Sequence, residues 1–270
     1  MNVSRDEYAA VQFALPPSLG TQLGTRSKLL QDYLKKALGR DAAVVTPGSY
    51  EQLARELLAG KVDAAWAPPF VCARIEAMGV RVLVRGVRNG ASTYRAALVC
   101  RKDANVTLET LQGTTAAWSD RDSVGGYLLP MAFLREKGLE PLRTFFRQDF
   151  LGSYRATLEG VAAGKADVTS LFAPSAKGGQ AQGTGIDEVW PGHEGDFKVI
   201  AYTEDAPNDG VAVSMGLNGA VVTELEKALL NLHQSPEGQA VLKDCFHAEK
   251  FEVSPRMGYR ALYRVALASL

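Results

Sequence analysis

Apolar residues recur along this chain in two alternating rhythms. Short buried runs alternate with longer stretches in which every third or fourth residue is apolar. The run VQFALPP at 11–17 predicts a strand ending in a Pro-Pro-Ser-Leu-Gly loop. Over 25–38, Leu29, Leu30, Tyr33, Leu34, Ala37 and Leu38 share one helical face, and Gly39 stops the helix. AAVVTP at 42–47 is a second strand. SYEQLARELLAG at 49–60 is a helix with Ser49 as N-cap, Gln52 at the capping-box position and Gly60 as terminator. VDAAWAPP at 62–69 and VRVLVRGV at 80–87 are further strands, the first carrying Trp66 near its end. Strand and helix alternating in this way predict a parallel sheet with helices on both faces.

The rhythm then repeats. YRAALVCRKD at 94–103 begins a long strand, and TLETLQGTTAAWSD at 107–120 predicts a short helix leading into another. A helix is expected over 125–137, a strand at TFFRQDF, a helix at SYRATLEGVAAG and a strand at ADVTSLFAP. The last two echo the first half: Ser49-Tyr50 with Ser153-Tyr154, Gly60-Lys61 with Gly164-Lys165, Ala67-Pro68 with Ala173-Pro174. Two related α/β halves are implied. AKGGQAQGTGIDE at 176–188 reads as a surface loop, and FKVIAYTEDAPNDGVAVS at 197–214 as two strands through a turn. Helices follow at 221–234 and 235–246, the second with Ser235 as N-cap and Pro236 at N1, and MGYRALYRVALASL closes the chain as an amphipathic helix.

Composition narrows the functional classes. The chain has 270 residues, 46% of them hydrophobic and 22% charged, with 30 basic residues balanced by 30 acidic ones. That is the profile of a globular protein with room for two real cores. No basic cluster is present, so neither nucleic acid nor an anionic membrane is expected as a partner, and no apolar run suits membrane insertion. Cys72, Cys100 and Cys245 are widely spaced and suggest buried thiols rather than a disulfide framework. His193, His233 and His247 have no metal-ligand spacing, so neither metal nor cofactor is expected. The leading segment MNVSRDEYAAVQFALPP has early acids and lacks a secretory apolar run. The expected location is periplasmic if an exporting segment has been removed and cytoplasmic otherwise.

In order along the chain, SYEQLARELLAGKVDAAWAPP, YRAALVCRKD, LETLQGTTAAW, DRDSVGGYLLP, GSYRATLEGVAAGKADV, APND and SPEGQAVL resemble the solute-binding proteins of phosphonate and phosphite ABC importers, within the type II periplasmic binding protein fold. The resemblance spans nearly the whole chain. It implies an α/β, two-lobed fold with a two-stranded hinge. Lobe one would be 1–95 plus 206–270 and lobe two 96–205, with the ligand in an interlobe cleft. It further implies a monomer that hands its ligand to an ABC permease or a signalling partner.

The family's phosphonate-holding turn, a Ser-Thr-Ser-Gly pattern, aligns here with Ser123, Val124, Gly125 and Gly126, so one hydroxyl is kept and two are lost. A family histidine opening the next helix is Tyr154 here. Tyr94 matches a tyrosine near the hinge, and Asp209 an acid that can bind an amine on the ligand. Each charge-assisted hydrogen bond lost costs about 1.5–3 kcal/mol, which predicts weak phosphonate binding. Trp66, Phe70, Tyr94, Trp118, Tyr154 and Phe172 fall at or near the expected ligand loops. They point instead to a planar or aromatic organic ligand stacked on Trp66 or Tyr154 and anchored by Ser123 and the glycine N–H groups. Arg121 and Arg155 flank these turns, and Cys72 lies near them as a lone thiol. A phosphonate or oxyanion binder with an altered site is the first alternative. A cytoplasmic enzyme on the same fold is the second, although the sequence offers no nucleophile–base pair and no catalytic residue is expected.

Overall fold

The structure is a computed structural model, and it describes residues 10–17, 23–176 and 183–263. The leading segment 1–9, positions 18–20 of the first predicted loop, 177–182 of the glycine-rich loop and 264–270 of the predicted C-terminal helix lie outside the described residues. The chain divides into two compact units, Met1–Ser92 with Pro207–Leu270, and Thr93–Ala206.

The first unit begins with β1 (Val11–Ala14), α1 (Leu23–Leu38), β2 (Ala42–Val45), α2 (Tyr50–Leu58), β3 (Ala64–Ala67), α3 (Pro69–Ala77) and β4 (Arg81–Val87). α2 starts where its sequence directs. Ser49 Oγ accepts the Gln52 N–H at 3.1 Å, and the Gln52 side chain reaches back to the Gly48 N–H at 3.0 Å. Gly39 and Gly60 end α1 and α2 at φ of +62° and +66°, a region other residues enter only with strain.

The second unit holds β5 (Thr93–Arg101), β6 (Thr115–Trp118), a π-helical turn (Val124–Leu128) continuing into α4 (Leu129–Glu136), α5 (Pro141–Thr144), β7 (Arg147–Phe150), α6 (Tyr154–Ala162), β8 (Val168–Pro174), α7 (Ile186–Val189), β9 (Phe197–Tyr202) and β10 (Ala206–Pro207). The chain completes the first unit with β11 (Gly210–Val213), α8 (Gly219–Leu230), α9 (Pro236–Val241) and β12 (Lys250–Val253).

Four features depart from the sequence expectation. The first-unit sheet, in the order β12-β4-β11-β3-β1-β2, is mixed rather than parallel: β11 runs antiparallel between β3 and β4. The two strands expected at 197–214 enter different sheets, β9 pairing with β5. The short helix expected near 107–112 is a turn, because Thr110 Oγ1 accepts the Thr107 N–H at 2.9 Å and offers the backbone a local alternative to helix. Finally, the strand expected over 62–69 ends at Ala67, and Pro69 instead opens α3 at N1, where its missing N–H costs nothing.

The second sheet runs β10-β5-β8-β6-β7, with β9 on β5. β6, β7 and β8 are parallel, while β5 is antiparallel to β8. The carboxyl ends of β6 and β8 therefore share one edge with the start of β5, where Tyr94 pairs with Pro174. Helices cover both faces: one core holds Leu158, Val161, Leu171 and Phe197, the other Leu98, Trp118, Met131 and Leu134.

Candidate functional site

At the carboxyl end of β6 the chain makes an Asx-type turn. Asp120 Oδ1 accepts the Asp122 N–H at 2.8 Å, and the Asp120 carbonyl accepts the Ser123 N–H at 3.2 Å. Ser123 thereby becomes the N-cap of the π turn, its Oγ accepting the Gly126 N–H at 3.1 Å. The first helical turn leaves the Val124 and Gly125 N–H groups without intrahelical acceptors, the usual donors for an anion. Ser170 Oγ on β8 donates to the Gly125 carbonyl at 2.8 Å and holds the turn against the sheet.

The two glycines are closely enclosed. A Cβ on Gly125 would lie 3.1 Å from Tyr154 Oη, 3.4 Å from Tyr94 Cε2 and 3.4 Å from Phe172 N. One on Gly126 would collide with Ser119 Oγ and lie 2.7 Å from Ser123 Oγ and 3.0 Å from Tyr154 Cε1. Ser153 caps α6 by accepting the Ala156 N–H at 3.1 Å, which places Tyr154 in the helix's first turn. The Tyr154 hydroxyl is 3.2 Å from Ser123 Oγ, and its ring meets Phe172 edge to face at 5.6 Å. Tyr94, Ser123, Gly125, Gly126, Tyr154 and Phe172 are thus brought together in the second unit. Val124 is buried beside them.

The other expected residues are placed differently. Trp118 is fully buried, packs edge-on against Tyr127 and Phe145, and donates its Nε1–H to Gln148 Oε1 at 2.8 Å. Trp66, in the first unit, is 3% exposed and packed edge-on against Phe246 and Phe251. Neither tryptophan presents a free face, which corrects the expectation of a ligand stacked on Trp66. Phe70 is half-buried against Tyr50, ring to ring at 5.8 Å. The Asp209 carboxylate takes Arg88 Nη1 at 2.6 Å, so its charge is already matched.

Arg121 lies over the Phe150 ring at 4.3 Å. Arg155 lies over Trp190 at 4.4 Å and pairs with Glu159 at 2.6 Å. Burial, and then the neighbouring Asp120, push the Asp122 carboxyl upward. Burial likewise raises the Cys72 thiol far above its ordinary range, with Asp209 adding to the effect, and its Sγ rests on the Ala67 carbonyl at 3.3 Å. Among the described residues no group of three His, Cys, Asp or Glu is placed to hold a metal ion, and no helix is long and apolar enough to cross a membrane. The sequence reading missed Ser119 and Ser170. The available signal was position, since residues just past strand carboxyl ends are where α/β sheets bind ligands.

Two α/β units, each with a mixed sheet, and a helix-capping turn at a strand's carboxyl end define the two-lobed α/β class of periplasmic binding proteins. Solved structures share this fold. A Xanthomonas citri protein bound to ATP matches with a TM-score of 0.77 at 21% identity, over 96% of each chain. A binding protein component of an ABC phosphonate transporter from Pseudomonas aeruginosa matches at 0.68 and 19% identity, over 97% of this chain and 87% of that one. PhnD1 from Prochlorococcus marinus in complex with methylphosphonate matches at 0.69 and 16%, over 96% and 98%. The family model for the ABC transporter phosphonate periplasmic substrate-binding protein matches residues 13–256, and the chain belongs to that family.

Proposed function

We propose that this protein is the solute-capture component of an ABC importer, working in the periplasm and delivering its ligand to a permease. We propose further that the ligand is a small oxyanion of the phosphonate class. The observation that supports this most is the Ser123-capped turn, with Gly125 and Gly126 enclosed by Tyr94, Tyr154 and Phe172. One phosphonate oxygen takes the Val124 and Gly125 N–H groups at the positive end of the helix. A second meets the Ser123 and Tyr154 hydroxyls, and the organic substituent lies against the three rings. Tyr154 returns a hydroxyl to a turn that has valine and glycine in place of two others. The Trp66 ring, buried against Phe246 and Phe251, is one fewer surface for a planar ligand to stack on, which supports the smaller oxyanion.

A second reading, a planar organic ligand, is favoured by one observation. Val124 and the three rings make the surroundings of the turn more apolar than a hydroxyl-rich cradle. Calorimetric titration with methylphosphonate, inorganic phosphate and adenosine, a planar and uncharged probe, separates the two. The phosphonate reading predicts that methylphosphonate binds more tightly than phosphate, which lacks the apolar substituent, and that adenosine does not bind. The planar reading predicts that adenosine binds and methylphosphonate does not.

A further inference from the structure

We infer that Ser119 is a ligand-binding residue, its hydroxyl serving as a further oxygen partner beneath the Ser123 turn. Ser119 is 5% exposed, and its Oγ has no hydrogen-bond partner among the described residues. A buried hydroxyl without a partner costs folding free energy, so its retention points to a partner supplied on binding. Its direction is set by geometry. The Ser119 carbonyl accepts the Gly152 N–H at 2.8 Å, and the preceding carbonyl, of Trp118, accepts the Leu151 N–H at 2.9 Å. Both bonds fix the end of β6 to the loop that leads to Ser153 and Tyr154.

From that anchor, Ser119 Oγ reaches the space where a Gly126 side chain would begin, and Ser123 Oγ stands 2.7 Å from the same point. Two hydroxyls therefore converge at the helix start, one capping Gly126 and one unmatched. Tyr154 Cε1 is 3.0 Å from the same point, and the Tyr154 hydroxyl is 3.2 Å from Ser123 Oγ. A shift of the Tyr154 ring opens the Ser119 hydroxyl to a ligand oxygen. Glycine at position 126 keeps the route clear.

This inference rests on the phosphonate-class reading above. The test is titration of the full chain with methylphosphonate, paired with thermal melts of the free protein, for the unaltered protein, Ser119→Ala, Ser119→Cys and Ser123→Ala. Removing a hydrogen bond to a charged ligand predicts a dissociation constant raised about tenfold or more in both Ser119 variants. The melting temperature of Ser119→Ala should be unchanged or higher, because an unmatched buried hydroxyl is gone. Near-normal affinity in either Ser119 variant, alongside weakened binding in Ser123→Ala, overturns this inference and leaves the phosphonate reading standing. No methylphosphonate binding by the unaltered protein overturns both.

Discussion

Trp66 shows how far a single side chain can be read from sequence. Its place at the end of a strand, beside Pro68-Pro69, suggests a ligand-facing ring. In the structure the ring is clamped between Phe246 and Phe251, residues about 180 positions away in sequence that no local pattern brings together. Trp66→Ala is therefore expected to cost about 3–5 kcal/mol of stability in a denaturant melt, while the Ser123 turn, which lies in the other unit, keeps its geometry. His247 makes a second prediction at this scale. It sits at a left-handed φ of +48°, and burial, then Arg26 and Arg88, hold its imidazole below the ordinary value of 6.5. The unfolded chain then takes up this proton first. Stability is retained above that value and falls as pH drops through it toward the native one. His247→Asn, which tolerates the left-handed backbone, should flatten part of the fall in melting temperature as pH drops below about 6.5.

At the scale of elements, α2 and α6 were legible because their signals are local. Ser49 and Ser153 stand three residues before the N–H groups they cap, and Gly60 and Gly164 end the following turn at positive φ. The antiparallel placement of β11 was not legible. Its partners β3 and β4 lie more than a hundred residues earlier, and nothing in VAVS states a direction. The site divides in the same way. Ser123, Gly125, Gly126 and Tyr154 follow from a turn and a cap, whereas the closeness of Tyr94 and Phe172 depends on the register of β5 with β8. Ser153→Ala should cost about 1 kcal/mol through loss of the α6 cap. It should also weaken methylphosphonate binding, because the same cap sets the position of the Tyr154 hydroxyl; denaturant melts and titration check the two effects separately.

At the scale of the whole molecule, the repeated strand–helix rhythm and the echo between SYEQLARELLAG and SYRATLEGVAAG anticipate two related units, and the chain does divide into two. The chain belongs to the family of ABC transporter phosphonate periplasmic substrate-binding proteins. The most direct test of the account is isothermal titration of the intact protein with methylphosphonate, repeated on Ser123→Ala. The account predicts saturable one-to-one binding that weakens about tenfold or more when the Ser123 hydroxyl is removed. Absence of binding, or equal affinity in the variant, would contradict it.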